Sequence, residues 1–388
     1  MDRSIQITLV LVMTMMTACG AAPSALPSAT ALPAALPSAT ALPTALPTAL
    51  PSATALPTTL PDPVSLDTAE AQASLFKAYG EGPVVAHGPI SAWDGTFTDP
   101  GAVLYHNGLF HMFRNGFRAW PASVQIGYVR SKDGYTWEKQ ADQPVFTSAE
   151  VPYAGVAALA SSALVLDDGT WVLYFYTWEN NNFPSSGGIG RATAPSPTGP
   201  WAVDPALVLR PGSAGEWDEN QVLSADVQRT SDGYVMYYSG INSKGMQMIG
   251  MATSSDGISW VKYNDSASAT PFAESDPVFG PGQSGAWDAG FVHQPRVAHT
   301  ADGWVMLYRG VPALRSNKMA LGAATSSDGI HWQRLPAPVL TRKAVPNAEA
   351  FWYTSMLYHE GIFFLFWEVD MRHQTNIYLA TYQGKLEP

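Results

Sequence analysis

The sequence predicts an all-β fold, and three observations predict it. One phrase recurs: SKDGYTW at Ser131–Trp137, SSDGISW at Ser254–Trp260 and SSDGIHW at Ser326–Trp332, each followed by a Pro-Val step at Pro144, Pro277 or Pro338. Five hairpin signals recur around the turn glycines Gly108, Gly169, Gly233, Gly303 and Gly361. Each is a short apolar strand, a polar residue with Gly and an aromatic-rich strand, the strongest short-range hairpin pattern. Charged residues make up only 14% of the chain while aromatics reach 11%, with 13 Trp, which suits aromatic-rich strands. A third strand follows each hairpin, and the Trp phrase opens a fourth in three of the five. Repetition at roughly 60–70 residues describes a five-bladed β-propeller with four-stranded blades.

The N-terminus reads differently. Residues 5–16 are a short apolar run, and Met16-Thr17-Ala18 precedes Cys19, the only cysteine. The run is too short for an ordinary membrane-spanning helix. Small residues before a Cys resemble the lipobox of bacterial lipoproteins, although the leucine position holds Met16. The expectation is a signal peptide over 1–18, a lipidated Cys19, and an exported protein anchored at the bacterial cell surface; a plain secretory signal is the alternative. One cysteine excludes any disulfide within the chain. The segment 19–64 is rich in Pro, Ala, Ser and Thr. Proline removes backbone donors, so this stretch is expected to be an extended stalk, on the order of 100 Å at 3.1 Å per residue.

The propeller domain is expected over 65–388. Its blades open with LYHNGLFHMF, LVLDDGTWVLYFY, VQRTSDGYVMYYSG, VAHTADGWVMLYRG and MLYHEGIFFLFWE. The third strands are QIGYVRS, GIGRATA, MIGMATS, LGAATSS and IYLATYQ. Blade two replaces the Trp phrase by SPTGPW, ending at Trp201. Blade five lacks a fourth strand before Pro388. The segment Phe76–His87 resembles the outer strands of other blades, so it is expected to close the ring and remove an open edge.

Ligand-binding loops of such a ring share one face around the axis. The loops leading into the inner strands carry Trp93-Asp94, Trp217-Asp218 and Trp287-Asp288, whose repetition points to a structural role. The differences between blades carry the chemistry. At the position before Pro100, blade one has Asp99 where blades three and four have Ser224 and Gln294. Glu219 and Asp226 lie close by in blade three, and His293 in blade four. The second strands contribute Arg114, Trp178, Glu179, Ser239, Arg309, Trp367 and Glu368. Acids, arginines and Trp at one mouth suit a sugar, since paired carboxylates perform glycosidic chemistry. The 32 acids against 21 bases, with no basic block, make nucleic acid a poor partner.

Residues 83–384 resemble the five-bladed glycosidases of families 43 and 32, with features similar to family 130. Asp99-Pro100 before an apolar strand resembles the blade-one DP motif of families 43 and 32, which implies Asp99 as general base or nucleophile. SSDGIHW resembles their S-x-D-x-x-x-W motif. His293 resembles the axial His of family 43, which often touches a bound ion through water. PGAVLYHNGLFHMFRNG and GWVMLYRGV resemble family 130, which implies phosphate binding by basic residues near these loops. The pattern departs at blade two, where Ala160-Ser161-Ser162 replaces an acid, and at VLSADV in blade three, which has no Glu.

These readings give a cell-surface glycoside hydrolase acting on an oligo- or polysaccharide. Asp99, Glu219, Asp226 and Glu179 are the candidate catalytic acids. Arg114, Trp178, His293, Gln294, Arg309, Trp367 and Glu368 are candidate substrate contacts. No cofactor is required, and an axial calcium ion is the one option. The alternatives are a glycoside phosphorylase, a non-catalytic carbohydrate-binding propeller and a protein-binding adhesion propeller.

Overall fold

The structure is a computed structural model, and it describes residues 63–72, 74–118, 124–178, 187–316 and 318–388. The leader, Cys19 and almost all of the stalk lie outside these residues, as do Glu179 and the side chain of Trp178. The regular secondary structure of the described residues is nearly all β, with one α-helix at Leu66–Ala71 and two short 3-10 turns.

Five units follow one plan. Their inner strands are Phe97–His106, Leu159–Val165, Gln221–Thr230, Phe291–Thr300 and Ala350–His359. Each pairs antiparallel with a second strand: Leu109–Phe117, Trp171–Trp178, Gly233–Ile241, Gly303–Val311 and Ile362–Met371. A third strand follows each. The outermost position is short, two or three residues, and in units one, three and four it is split into two pieces. Units two and three do not form separate sheets. One parallel bridge, Gln221 to Gly187, joins them into a single nine-stranded sheet.

No sheet closes on itself. The inner strands nonetheless lie in a cycle, each beside the next and the fifth beside the first. Side chains of one unit accept from backbone N–H groups on the next, which would otherwise be buried and unpaired. Asn115 Oδ1 accepts from Ala160 N at 2.8 Å, Ser162 Oγ from Val227 N at 3.0 Å and Asp226 Oδ2 from Val297 N at 2.5 Å. Ser239 Oγ accepts from Gln294 N at 2.8 Å, and Thr375 Oγ1 from Thr98 N at 3.1 Å.

The N-terminal segment pairs with the fifth unit as expected. Lys77 and Ala78 are opposite Thr381 and Ala380, and Val85 bridges Ile377. The segment is held by burial as well as by pairing: Phe76 is 1% exposed and stands 5.5 Å from the Tyr382 ring.

The repeated sequence phrases form scaffold. In all three Asp-Gly turns the Ser hydroxyl accepts from the Gly N–H at 2.9 Å, and one Asp oxygen takes two further N–H groups. Asp94, Asp218 and Asp288 are buried and paired with Arg114, Lys262 and Arg334. The Trp rings beside them lie over glycines: a Cβ on Gly116, Gly240 or Gly310 would come within 2.6 Å of an indole carbon. That contact explains the RNG, YSG and YRG strings.

Candidate active site

Every inner strand carries a bulge near its start. The register shifts fall between Pro100 and Ala102, Ala160 and Ser162, Leu223 and Asp226, His293 and Arg296, and Phe351 and Thr354. A bulge inserts residues, bends the strand and re-aims its side chains. The second-strand residues beside the bulges include Arg114, Phe175, Tyr238, Tyr308 and Trp367, all of them buried. One step further along stand Asn115, Tyr176, Ser239, Arg309 and Glu368. These five equivalent positions, with the inner-strand residues beside them, build the site.

The ladder also corrects the alignment of Asp99. Asp99 is opposite Asn115, Leu223 opposite Ser239 and His293 opposite Arg309. Asp99 therefore corresponds to Leu223 and His293, one residue earlier than Ser224 and Gln294. The latter two are bulge residues at φ 53° and 51°.

Asp99 is fully buried. Its Oδ1 accepts from Asn115 Nδ2 at 2.8 Å, and its Oδ2 has no partner. Burial pushes its pKa up to about 7, against the opposing pull of the Asn115 hydrogen bond and of Arg296, Arg309 and Arg114. Glu368 is the second buried acid. Its Oε2 accepts from Tyr353 N at 3.3 Å. Its pKa is raised well above the usual range, first by burial and then by the negative charge of Asp99. The two carboxyls titrate as a pair, and adding the second charge is opposed by the first.

Arg309 supplies a cation. Its Nε donates to His293 Nε2 at 3.1 Å and one terminal nitrogen donates to Gln294 Oε1 at 3.2 Å. The guanidinium lies over the Tyr353 ring, 5.6 Å from its centroid. Burial lowers its pKa to about 10. Because Nε2 of His293 accepts, the neutral ring carries its proton on Nδ1; burial and the Arg309 charge hold its pKa far down. Tyr176 and Tyr353 stand near each other and beside Asp99. Neither tyrosine nor Asn115 stood out in the sequence, because their role depends on the bulge offset and not on any motif.

The other candidates are placed elsewhere. Arg114 is locked inside its own unit. It donates to Asp94 at 2.6 Å and to Thr98 Oγ1 at 3.0 Å, and lies 5.0 Å from the Trp93 ring centroid. Trp367 is fully buried against Phe351 and Tyr378 and offers no face to a sugar. Glu219 caps a loop, accepting from Gly215 N at 2.6 Å and from Ser243 Oγ at 2.5 Å, and these hydrogen bonds pull its pKa down to about 2. A carboxyl so acidic cannot donate a proton near neutrality. Asp226 is buried, with its pKa pushed up to about 6 by burial, but it belongs to the next layer, beside Arg296.

An axial calcium ion does not fit this arrangement. Ca²⁺ takes six to eight oxygen ligands, whereas here the buried cation Arg296 neighbours both Asp99 and Asp226. Among the described residues no group of three or more His, Cys, Asp or Glu is arranged to hold a metal.

No family model matches the chain, and no curated protein matches it. Solved structures do. A glycosyl hydrolase from Bacteroides ovatus superposes with a TM-score of 0.61 at 18% identity, covering 81% of this chain and 95% of the other. A structure from the GH130 family, described as mannoside phosphorylases that include hydrolases of β-1,2-mannosidic linkages in Candida mannan, gives 0.60 at 17% identity, covering 85% and 97%. A β-1,2-mannobiose phosphorylase from Listeria innocua gives 0.59 at 15% identity, covering 79% and 96%. The chain has the fold of these structures.

Proposed function

We propose that this protein is a five-bladed β-propeller, its ring completed by the N-terminal strand, that cleaves a glycosidic bond with Asp99 moving the proton. One observation carries the reading: a buried carboxyl with a free oxygen and a pKa near 7, coupled to a second buried acid, Glu368. Such a group can give a proton to a leaving oxygen as the C–O bond breaks, or take one from an attacking water. Arg309 balances charge that develops at the bond, and the Tyr353 ring adds an aromatic wall. The shared fold with glycoside hydrolases and mannoside phosphorylases agrees with this chemistry. The leader and lipid-anchored Cys19 would hold the enzyme at the cell surface.

A second reading, phosphorolysis, is favoured by Arg309 itself. Its guanidinium is buried and, among the described residues, donates only to the neutral acceptors His293 and Gln294. A buried cation without a carboxylate partner has charge to offer an anion such as phosphate.

The test offers mannan, arabinan, xylan and fructan oligosaccharides to the purified protein, with and without phosphate, beside Asp99→Asn. Release that disappears in the variant supports a glycosidase. Formation of a sugar phosphate only when phosphate is present selects phosphorolysis. Sugar binding without release, equal in both proteins, rejects the enzyme and leaves a carbohydrate-binding propeller.

A further inference from the structure

The bulge of the fifth inner strand, between Phe351 and Thr354, holds Trp352 and Tyr353. The ladder fixes what Trp352 corresponds to. Thr98 is opposite Gly116, Val222 opposite Gly240 and Val292 opposite Gly310, and the next residues are Asp99, Leu223 and His293. Each of those glycines directly follows a site position: Asn115, Ser239 or Arg309. In unit five Val369 follows Glu368, and it is opposite Phe351, which Trp352 follows. Trp352 is therefore the fifth unit's counterpart of Asp99 and His293.

Hydrogen bonds tie this bulge to the site. Tyr353 N donates to Glu368 Oε2 at 3.3 Å, and the Trp352 indole N–H donates to Asp370 Oδ2 at 3.4 Å. Glu368 and Asp370 are two residues apart on one strand, so their side chains share a face. Asp370 is itself pinned, since its Oδ1 accepts from His373 N at 3.1 Å across a turn in which Arg372 and His373 are left-handed, at φ 55° and 64°. On the third strand Asp370 is opposite Thr375. Thr375 Oγ1 accepts from Thr98 N at 3.1 Å and donates to Thr98 O at 3.3 Å, and Thr98 is the residue before Asp99. A run of contacts thus leads from the indole to the backbone that carries the acid.

The indole ring itself has no place in the core. Trp352 is half-buried. Among the described residues its ring packs on none of the apolar clusters that fill the domain. Tyr353 beside it does pack, against the cluster that holds Tyr176, and the Arg309 guanidinium lies over its ring. A large aromatic face that is held at its N–H and left out of the core suits a ligand with an apolar face of its own. The C–H groups on one side of a sugar ring make such a face, while its hydroxyls are left to the acids and the arginine.

We infer that Trp352 is the sugar platform of this site: its ring stacks on the C–H face of a sugar bound beside Asp99, and Asp370 fixes the angle of the ring through the indole N–H. The inference rests on the reading of the site as glycosidic, and it adds the residue that supplies affinity for the substrate. Trp352 moves no proton. It takes the part that the sequence had suggested for Trp367, which is spent on the core of unit five.

The experiment measures binding of the mannan, arabinan, xylan and fructan oligosaccharides to the full-length protein by titration calorimetry, in wild type, Trp352→Ala and Trp352→Phe. Trp352→Ala is expected to weaken the oligosaccharide that wild type holds best by about tenfold to a hundredfold, the range for truncating a tryptophan anchor. Trp352→Phe, which keeps an aromatic face, is expected to recover most of that loss. Where sugar is released, the loss should fall on KM, with kcat changed far less. A second readout does not depend on the alanine variant folding. With ¹⁵N in the tryptophans, the indole resonance lost in Trp352→Phe belongs to Trp352, and it is expected to shift as the oligosaccharide is added to wild type. Affinity and KM within about twofold of wild type in folded Trp352→Ala overturn the inference. So does an indole resonance that stays still at saturation, or a wild type that binds none of the oligosaccharides. The glycosidase reading fails separately: release that survives Asp99→Asn, or binding without release, rejects it and leaves the platform standing if Trp352→Ala still weakens binding.

Discussion

Asn115 Nδ2 donates to one oxygen of Asp99 at 2.8 Å and leaves the other oxygen of that carboxyl with no partner. The same amide clamps the second unit, donating to Ala160 O at 3.2 Å and accepting from Ala160 N at 2.8 Å. The acid is thus fixed in place by a side chain that also sets the distance to the neighbouring unit. Its hydrogen bond favours the ionised form and opposes the effect of burial. Asn115→Ala should therefore move the pH dependence of sugar release upward. It should also lower the rate at neutral pH by about tenfold to a hundredfold, the range for losing a hydrogen bond to a charged group. A rate loss with no displacement of the pH profile would assign Asn115 to the clamp alone.

Asp99 also makes stability depend on pH, and the sign follows from its raised pKa. The folded protein holds a proton at Asp99 up to about pH 7, while the unfolded chain releases it near the ordinary 3.8. Between these values the native state binds more protons, so this carboxyl lowers stability as pH rises through the window. Asp99→Asn lacks the effect. Calorimetry from pH 4 to pH 8 should show the melting temperature of the variant rising relative to wild type up to about pH 7, then running parallel. Glu368 acts in the same direction, and losing the Asp99 charge lowers its pKa in the variant, so its contribution widens the same gap. A constant gap across the range would mean that Asp99 is ionised throughout.

Glu219 provides the contrasting case. Its carboxylate spends its lone pairs on Gly215 and Ser243. Glu219→Gln should leave the rate and KM for sugar release within about twofold, in line with surface substitutions elsewhere. Hydrogen exchange at Gly215 and Ser243 should quicken, since each N–H loses a charged acceptor. A loss of turnover beyond tenfold, with the loop unchanged, would bring Glu219 back into the chemistry.

The difference between the acids that meet and those that do not shows what a sequence of this kind discloses. Hairpins, turns and the Trp-Asp repeats were legible because each depends on local spacing: Ser131 bonds Asp133 and Trp137 bonds Gly134, all within seven residues. Asp99, His293, Gln294, Arg309 and Glu368 were reachable because their units differ from one another at equivalent places. Arg114 was misplaced by one residue. Counting from the turn glycine equates it with Arg309, yet Gly108 lies inside its turn while Gly303 is already paired with Thr300. The ladder equates Arg309 with Asn115, and a slip of one residue exchanges the two faces of a strand. Glu219 and Asp226 were misjudged for a related reason. Closeness in sequence does not survive a bulge, and these two acids end on opposite sides of it.

The N-terminal segment lends itself to a stability test that leaves the site untouched. Phe76 is buried between Phe363 and Tyr382, at centroid distances of 6.4 and 5.5 Å, and its N–H donates to Val339 O at 3.2 Å. Next to it Lys77 and Ala78 cover the edge of the fifth unit. If the strand is held by this one apolar anchor, Phe76→Ala should cost about 3–5 kcal/mol, the range for emptying a buried phenylalanine site. The pairing of a two-residue strand cannot make up such a loss. The strand should then detach before the domain unfolds, so amides at Thr381 and Leu379 should lose protection while those of the inner strands keep it. Lys77→Ala, whose side chain is exposed, should change stability by less than about 0.5 kcal/mol. If Phe76→Ala instead unfolded the whole domain in one step with uniform loss of protection, the segment would be an integral part of the core and not a strap laid over a finished edge.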